Sequence, residues 1–123
     1  MTTPSVTLYG IAHCDTVKKS RAWLAEHGVA VRFHDFKKVG VPPDHLQRWI
    51  DAVGWERLLN RQGTTWRKLD AATQAGVTDA ASAAALLQAH ASAIRRPVIE
   101  WDTGAPAITV GFAPDDWRAL LAR

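Results

Sequence analysis

A single cysteine carries the most reactive side chain of this 123-residue sequence, and it stands in a polar segment, His13-Cys14-Asp15. Cysteine reacts as its thiolate, and with an ordinary pKa of about 8.5 only a few per cent of the thiol is ionised at neutral pH. We therefore expect Cys14 to act as a nucleophile only if neighbouring groups stabilise its negative charge. A buried structural cysteine is the alternative, because free cysteines are among the most buried residues, but the polar neighbours favour a functional one.

The predicted position of Cys14, directly before a helix, favours its thiolate. Residues 15–26 have the apolar spacing of an amphipathic helix, and Gly28 is a natural stop. A helix N-terminus offers free N–H groups and a partial positive charge, worth roughly 0.3–1 kcal/mol, which is less than one pKa unit. A nearby cation or further hydrogen bonds must therefore contribute as well, and the candidate cations are His13, Lys18, Lys19 and an arginine from elsewhere in the chain.

The composition argues against several classes of protein and site. One cysteine rules out an intramolecular disulfide, which is typical of a reducing compartment, and the five histidines show no metal-ligand spacing. The first residues lack the features of a signal peptide, and no apolar run approaches the ~20 residues of a membrane span. We therefore predict a cytoplasmic protein without a metal site or a membrane contact. The net charge of +3, with no basic run longer than two residues, argues against nucleic-acid binding.

Hydrophobic patterning predicts strands at both ends of the chain. Residues 6–9 and 29–36 have the composition of strands, and the helix between them makes a crossover that places the two strands parallel to each other. A second pair of strands is predicted at residues 98–101 and 107–112. A turn at residues 102–104 joins this pair, so these two strands are expected to form an antiparallel hairpin.

The middle of the chain predicts helices instead. A helix begins at Pro42-Pro43-Asp44, since proline suits the first helical turn, and its apolar residues recur at helical spacing. Residues 60–68 are polar and are interpreted as a loop. Thr78 is the predicted N-cap of an alanine-rich helix over residues 79–90.

A last helix begins after Pro114 and turns Trp117, Leu120 and Leu121 inward. The whole chain is thus predicted to be one α/β domain with a four-stranded mixed sheet and helices packed on it. The helical block, at about residues 41–92, is predicted to be an insertion in that domain.

Three separated motifs are similar to those of one known family. They are residues 9–19 (YGIAHCDTVKK), residues 58–69 (LLNRQGTTWRKL) and residues 94–98 (IRRPV). In this order they resemble the arsenate reductase ArsC/Spx family, within it the YffB-like branch, and the resemblance runs from about Val6 to Leu121.

This resemblance implies a thioredoxin-like fold with an inserted helical subdomain, and a redox-active cysteine, Cys14, as the nucleophile. It also implies that Arg61 and Arg96 surround the sulfur and bind an oxyanion or a glutathione carboxylate. Neighbours in an extended segment point to opposite sides, which favours Arg96 over Arg95 in that role. Pro97 matches a family proline that is usually cis and lies beside the reactive sulfur.

The sequence departs from the family pattern at three places. Arsenate reductases of this family carry a further arginine on the last strand, near residues 110–112, where this chain has none, and a histidine at the position of Gly10. Spx-type regulators often carry a second cysteine where this chain has Val17. These differences weaken the case for arsenate reduction and exclude an intramolecular disulfide switch.

Together these features predict an enzyme that takes its electrons from an external thiol. A mixed disulfide on Cys14 must be resolved by a thiol from solution, because the chain has no second cysteine. Glutathione is the expected external reductant, with glutaredoxin as a further partner, and no bound cofactor is expected. The leading hypothesis is a glutathione-dependent thiol/disulfide reductase. An arsenate reductase and an Spx-like regulatory module that contacts RNA polymerase are the alternatives.

Overall fold

The computed structural model describes residues 3–102 and 108–122. Its elements follow one another along the chain as β1 Ser5–Gly10, α1 Asp15–Glu26, β2 Ala30–Asp35, α2 Phe36–Val39, α3 Pro43–Val53, α4 Trp55–Leu58, α5 Thr64–Arg67, α6 Ala71–Ala75, α7 Ala80–Ala89, a 3₁₀ turn Ala91–Ala93, β3 Val98–Trp101, β4 Ile108–Val110 and α8 Pro114–Leu121. The strands form one sheet in the order β2-β1-β3-β4. β1 pairs parallel with β2 and antiparallel with β3, and β3 pairs antiparallel with β4. The predicted four-stranded mixed sheet is confirmed.

The chain divides into two compact units. The first unit consists of the residues up to Phe36 and those from Arg96 onward, and it contains the sheet with α1 and α8. The second unit, Lys37–Arg95, contains the helices α3 to α7. The sequence predicts a helical insertion over about the same part of the chain, residues 41–92.

The core of the first unit lies between one face of the sheet and the two helices α1 and α8. It is formed by Val6, Leu8, Val17, Leu24, Val29, Ile99, Trp101, Trp117 and Leu120. At its centre the fully buried ring of Trp117 meets three aromatic rings edge-on, those of Trp23, Trp101 and Phe112, at centroid distances of 5.5, 5.9 and 5.3 Å. Such edge-to-face contacts stabilise the core beyond the contribution of the buried apolar area. This packing fixes α1 on the sheet and therefore fixes its N-terminus.

The predicted elements of the first unit agree closely with the structure. α1 and β3 have the predicted bounds, whereas β2 is shorter because Phe36 already begins α2. β4 ends at Val110, before the predicted end, because Gly111 has φ of +89°, a conformation that glycine adopts easily and that a strand cannot continue through. Ala107, the predicted first residue of that strand, and residues 103–104 of the predicted turn lie outside the described residues.

Two predictions for the second unit were wrong in detail. The segment interpreted as a loop, residues 60–68, contains the one-turn helix α5. The N-cap of α7 is Asp79 and not Thr78, because the Asp79 carboxylate accepts a 2.9 Å hydrogen bond from the Ser82 N–H while the Ser82 hydroxyl accepts one from the Asp79 N–H. This reciprocal pair satisfies two helix N–H groups, and aspartate is the stronger N-cap type.

The end of β1 and the start of α1 approach each other closely at Gly10. A Cβ atom added to this buried glycine would lie 2.7 Å from Cγ2 of Val17, which is itself fully buried. The absence of a side chain at Gly10 therefore lets the first turn of α1 lie directly against the strand.

We expect Gly10→Ala to lower the free energy of unfolding by about 1–3 kcal/mol, the usual cost of overpacking a well-packed interior. The same substitution in a Val17→Ala background should cost clearly less, because the atom it would clash with is gone. Urea unfolding of the four proteins of this cycle measures both costs. Equal costs in the two backgrounds would show that the Val17 contact does not set the requirement for glycine.

Candidate thiolate site

Cys14 is the N-cap residue of α1. It has extended backbone angles, φ −87° and ψ 123°, and its carbonyl accepts the first helical hydrogen bond, 3.0 Å from the Lys18 nitrogen. Its own N–H donates to the carbonyl of Ile11 at 3.2 Å, which closes the turn between β1 and α1. The side chain is half-buried, with one side packed against the apolar core of the first unit. The sulfur therefore lies at the boundary between core and solvent, where a reagent can reach it.

The pKa of the Cys14 thiol is lowered from its ordinary value. Partial burial is the largest single effect and raises the pKa, but it is outweighed by groups that favour the thiolate: the backbone N–H of Val17, the Arg96 guanidinium through a hydrogen bond and through its charge, and the backbone N–H of Thr16. The Cys14 side chain makes no capping hydrogen bond of standard geometry. The N–H groups of Val17 and Thr16 therefore act on the sulfur as dipoles and do not form a cap with it.

The sheet brings Arg96 to the sulfur. Val98, the first residue of β3, pairs with Tyr9 near the end of β1, so the residues just before β3 lie beside the turn that leads to Cys14. Arg96 itself is half-buried. Antiparallel pairing of these two strands thus unites two residues that lie far apart in the sequence.

Pro97 lies between Arg96 and β3 and is buried. The Arg96–Pro97 peptide bond is cis, as the sequence motif leads one to expect. The Pro97 carbonyl accepts a 2.9 Å hydrogen bond from the N–H of Gly111, directly after β4. The backbone that carries Arg96 is therefore tied to the edge hairpin of the sheet.

Arg95 and Arg96 are adjacent but differently placed. Arg95 is exposed, its Nε donates to the Arg57 carbonyl at 3.1 Å, and its backbone N–H donates to the Leu58 carbonyl at 2.7 Å. Both of these acceptors belong to the second unit, to which Arg95 itself belongs. Arg96 is the neighbour whose charge acts on the thiol.

The other predicted site residues are not among the groups that lower the pKa of Cys14. His13 and Lys18 are exposed, and their predicted role as thiolate modulators stays a prediction. Arg61 lies in the second unit, where its guanidinium is 5.7 Å from the ring centre of Trp55 and 5.9 Å from that of Trp66. Its predicted role in anion binding likewise stays a prediction.

Sequence reasoning missed two features of this site. It did not identify the requirement for glycine at position 10, which becomes visible only when β1 and α1 are in place. It also did not identify which amides face the sulfur, although the second and third residues of a helix are the usual partners of an N-cap side chain. That general rule points to Thr16 and Val17, the two residues whose amides lower the pKa.

Two kinds of feature were not found in the part of the chain that the structure describes. Over residues 3–102 and 108–122 no group of three or more histidine, cysteine, aspartate or glutamate side chains could hold a metal ion. Within the same residues no helix combines the length and the apolar character needed to cross a membrane.

Comparison with known proteins gives one consistent group of relatives. The sequence profile of the ArsC family matches residues 9–120. The solved structure of a protein named YFFB is 50% identical, has a TM-score of 0.86, and matches 94% of this chain and 98% of that protein. An arsenate reductase (ArsC) related protein from Brucella melitensis is 45% identical with a TM-score of 0.71, and the match covers 97% and 96% of the two chains.

A curated relative has a regulatory description instead. The global transcriptional regulator Spx of Streptococcus pyogenes is 27% identical over 121 residues, which cover 96% of this chain and 86% of that protein. The chain thus has relatives described as related to an enzyme and relatives described as regulators.

The predicted thioredoxin-like architecture is confirmed by the structural matches.

We expect Arg96→Gln to raise the pKa of the Cys14 thiol, because the glutamine removes the cation that stabilises the thiolate. The matched control is Arg95→Gln, which should leave this pKa unchanged because Arg95 bonds to the second unit. The rate of alkylation by iodoacetamide, measured against pH, gives the midpoint of ionisation for each protein. In the wild type that midpoint should lie below the ordinary thiol value of about 8.5. Equal midpoints for wild type and Arg96→Gln would contradict the assignment.

Proposed function

Since this chain belongs to the ArsC family, we propose that it is a glutathione-dependent thiol/disulfide reductase that uses Cys14 as its single nucleophile. The observation that carries the proposal is the lowered pKa of a half-buried thiol at the start of α1, beside Arg96. A cysteine with these features is typical of reactive rather than structural thiols. The relative from Brucella melitensis described as arsenate reductase related supports redox chemistry at this position.

In the first step, the Cys14 thiolate attacks one sulfur of an oxidised substrate, a mixed disulfide with glutathione. A bond forms between Cys14 and the glutathione sulfur, the disulfide bond of the substrate breaks, and the substrate leaves as a thiolate that takes a proton from water. The amides of Val17 and Thr16 and the Arg96 guanidinium stabilise the attacking charge before this step. The groups that favour ionisation of the Cys14 thiol are thus in place before the substrate binds.

In the second step, an external thiolate must release the enzyme, because the chain contains one cysteine only. The thiolate of a second glutathione attacks the mixed disulfide, oxidised glutathione forms, and Cys14 leaves as a thiolate. Overall the substrate disulfide is reduced by one glutathione, and the products are the free substrate thiol and oxidised glutathione. Glutaredoxin would serve in the same place as an alternative source of the resolving thiol.

Arginine side chains are suited to hold the glutathione that enters and leaves. Their planar guanidinium groups form bidentate hydrogen bonds with carboxylates, and glutathione carries two carboxylates. We assign one of them to Arg96, beside the sulfur. That Arg61 binds a glutathione carboxylate is a separate prediction, which the family resemblance implies. Buried Pro97 then acts as a positioning residue, because its backbone carries Arg96 and is held by the Gly111 hydrogen bond.

Arsenate reduction is the second candidate function, and it is favoured by the similarity to the arsenate reductase related protein of Brucella melitensis. Against it, the last strand and the two residues that follow it, residues 108–112, contain no arginine to complete an oxyanion site. An oxyanion with several negative charges needs more than one cation at close range. The disulfide substrate therefore ranks first, and arsenate is the competing substrate in any assay of this protein.

Glutathionylation at Cys14 gives the most direct test. Intact mass after incubation with oxidised glutathione should show one glutathionyl group on the wild type, and reduced glutathione should remove it, because the thiolate attacks disulfides reversibly. The Cys14→Ser protein is the control and should stay unmodified. An unmodified wild-type protein at a pH where alkylation proves the thiolate to be present would rule out the proposed first step.

Kinetics with a glutathionylated peptide should separate the roles of Cys14 and Arg61. We expect Cys14→Ser to have no activity and Arg61→Gln to raise the KM for glutathione about tenfold with little change in kcat, the value of one charged hydrogen bond. Arg67→Gln, an exposed arginine of the same unit, is the matched control. A Cys14→Ser protein that keeps its cellular role and retrieves RNA polymerase subunits in a pull-down would support the regulatory alternative instead.

A further inference from the structure

A shallow groove runs along the outer side of α1 beside the edge strand β2. Its volume is about 450 Å³, and it is lined by Lys18, Arg21, Ala22, Ala25, Val29 and Val31. The floor is apolar, and the charged residues of the lining are a lysine and an arginine, without an acidic partner among the lining residues. This volume fits several side chains of a bound segment rather than a single ion.

The groove leads towards the reactive sulfur. Its α1 residues recur at positions 18, 21, 22 and 25, the spacing of one helix face. Cys14 precedes Lys18 by one helical turn, and the backbone hydrogen bond between these two residues joins them. The thiol therefore stands at the N-terminal end of the same face, so a segment lying in the groove extends towards Cys14.

The other wall of the groove is an open strand edge. β2 is an outer strand of the sheet, and its partner among the described residues is β1. The N–H of Ala30 donates to the Pro4 carbonyl, so in this parallel pair Ala30, Arg32 and His34 turn their backbone groups towards β1. The N–H and C=O groups of Val31 and Phe33 consequently point outward, away from the sheet. Such an edge is a template for an added strand.

Charge decides between the possible occupants of this edge. Arg21 is exposed, and its guanidinium is held 4.3 Å from the ring centre of Phe33, so a cation is fixed beside the open backbone groups. Pairing of β2 with β2 of a second copy would bring the Lys18 and Arg21 side chains of the two copies close together. Repulsion between these like charges would destabilise such a pair. An extended segment with carboxylates would complement Lys18 and Arg21 instead.

We propose that the groove between α1 and β2 binds an acidic extended segment of a protein substrate, which adds to β2 as a further strand and presents its disulfide to Cys14. The proposal rests on the proposed function for the disulfide, whereas docking itself needs no thiol chemistry. Backbone hydrogen bonds to Val31 and Phe33 supply affinity, and the cations of the groove supply the preference for acidic side chains.

Binding is measured on the Cys14→Ser protein, so that the result does not depend on whether the enzyme mechanism is correct. The probe is a short fluorescein-labelled peptide of alternating glutamate and valine, and the control probe alternates lysine and valine. Fluorescence anisotropy should show binding of the glutamate peptide, weakened by salt because the charges are exposed, and no binding of the lysine peptide. Equal binding of the two peptides would overturn the assignment of charge.

A pair of charge reversals on α1 tests the location. Arg21→Glu should weaken binding of the glutamate peptide about tenfold, because it replaces attraction by repulsion. The matched control is Lys19→Glu, on the same helix, whose ammonium group lies 5.6 Å from the Phe112 ring and does not line the groove. An equal loss in both variants would mean that net charge alone attracts the peptide, which contradicts a specific groove.

The strand edge is tested by hydrogen exchange and by Val31→Pro. In residue-resolved exchange, the glutamate peptide should slow the outward N–H groups of Val31 and Phe33 and leave the already bonded Ala30 and Arg32 unchanged. Val31→Pro removes an outward N–H, which an edge strand tolerates, and should reduce peptide binding while unfolding in urea stays cooperative. Unchanged exchange at Val31 and Phe33 in the presence of saturating peptide would overturn strand addition, whether or not the proline variant folds. Concentration-dependent dimerisation that protects the same amides without peptide would identify a second copy as the occupant.

Discussion

Partial burial destabilises the Cys14 thiolate and a small set of fixed groups stabilises it. The rest of the structure holds the sulfur and these groups in place. A sulfur in full contact with water would keep its ordinary pKa, with only a few per cent of the thiol ionised at neutral pH, and would also be poorly positioned. A sulfur sealed in the core would not ionise at all. Cys14 lies between these limits, with one side on the apolar core and with the Val17 and Thr16 amides and the Arg96 guanidinium acting on the charge. The pairing of β1 with β3 makes this combination possible, because it carries Arg96 to the start of α1.

Features of this structure that depend on residues close together in the sequence could be predicted, and features that depend on distant segments could not. α1 and β3 were predicted with their observed bounds, since apolar periodicity and a stop residue are local signals. The position of Cys14 before a helix followed in the same way. Physical reasoning from the sequence offered His13, Lys18, Lys19 or a distant arginine as the cation near the sulfur. Family resemblance was needed to name Arg96, because strand pairing between distant segments cannot be derived from local pattern.

The wrong prediction for the N-cap of α7 has a related cause. Asp79 is the stronger N-cap type, but Thr78 can also cap a helix, and the reciprocal hydrogen bonds with Ser82 decide between them. α1 connects the two proposals for this protein, since its first turn stabilises the thiolate and its outer face lines the groove. One helix held on the sheet by Trp117 and its aromatic neighbours therefore positions both the reactive atom and the surface that we assign to substrate docking.

The division of the chain into two units has a consequence for how such proteins can diverge. The groups that shift the acidity of Cys14 all belong to the unit that contains the sheet, and the chain passes into the helical unit after Phe36 and leaves it between Arg95 and Arg96. Changes in the sequence of the helical unit can therefore accumulate over evolution without removing any group that acts on the thiol. Substitutions there can change the partners that the protein contacts while the groups that lower the pKa of the thiol stay the same.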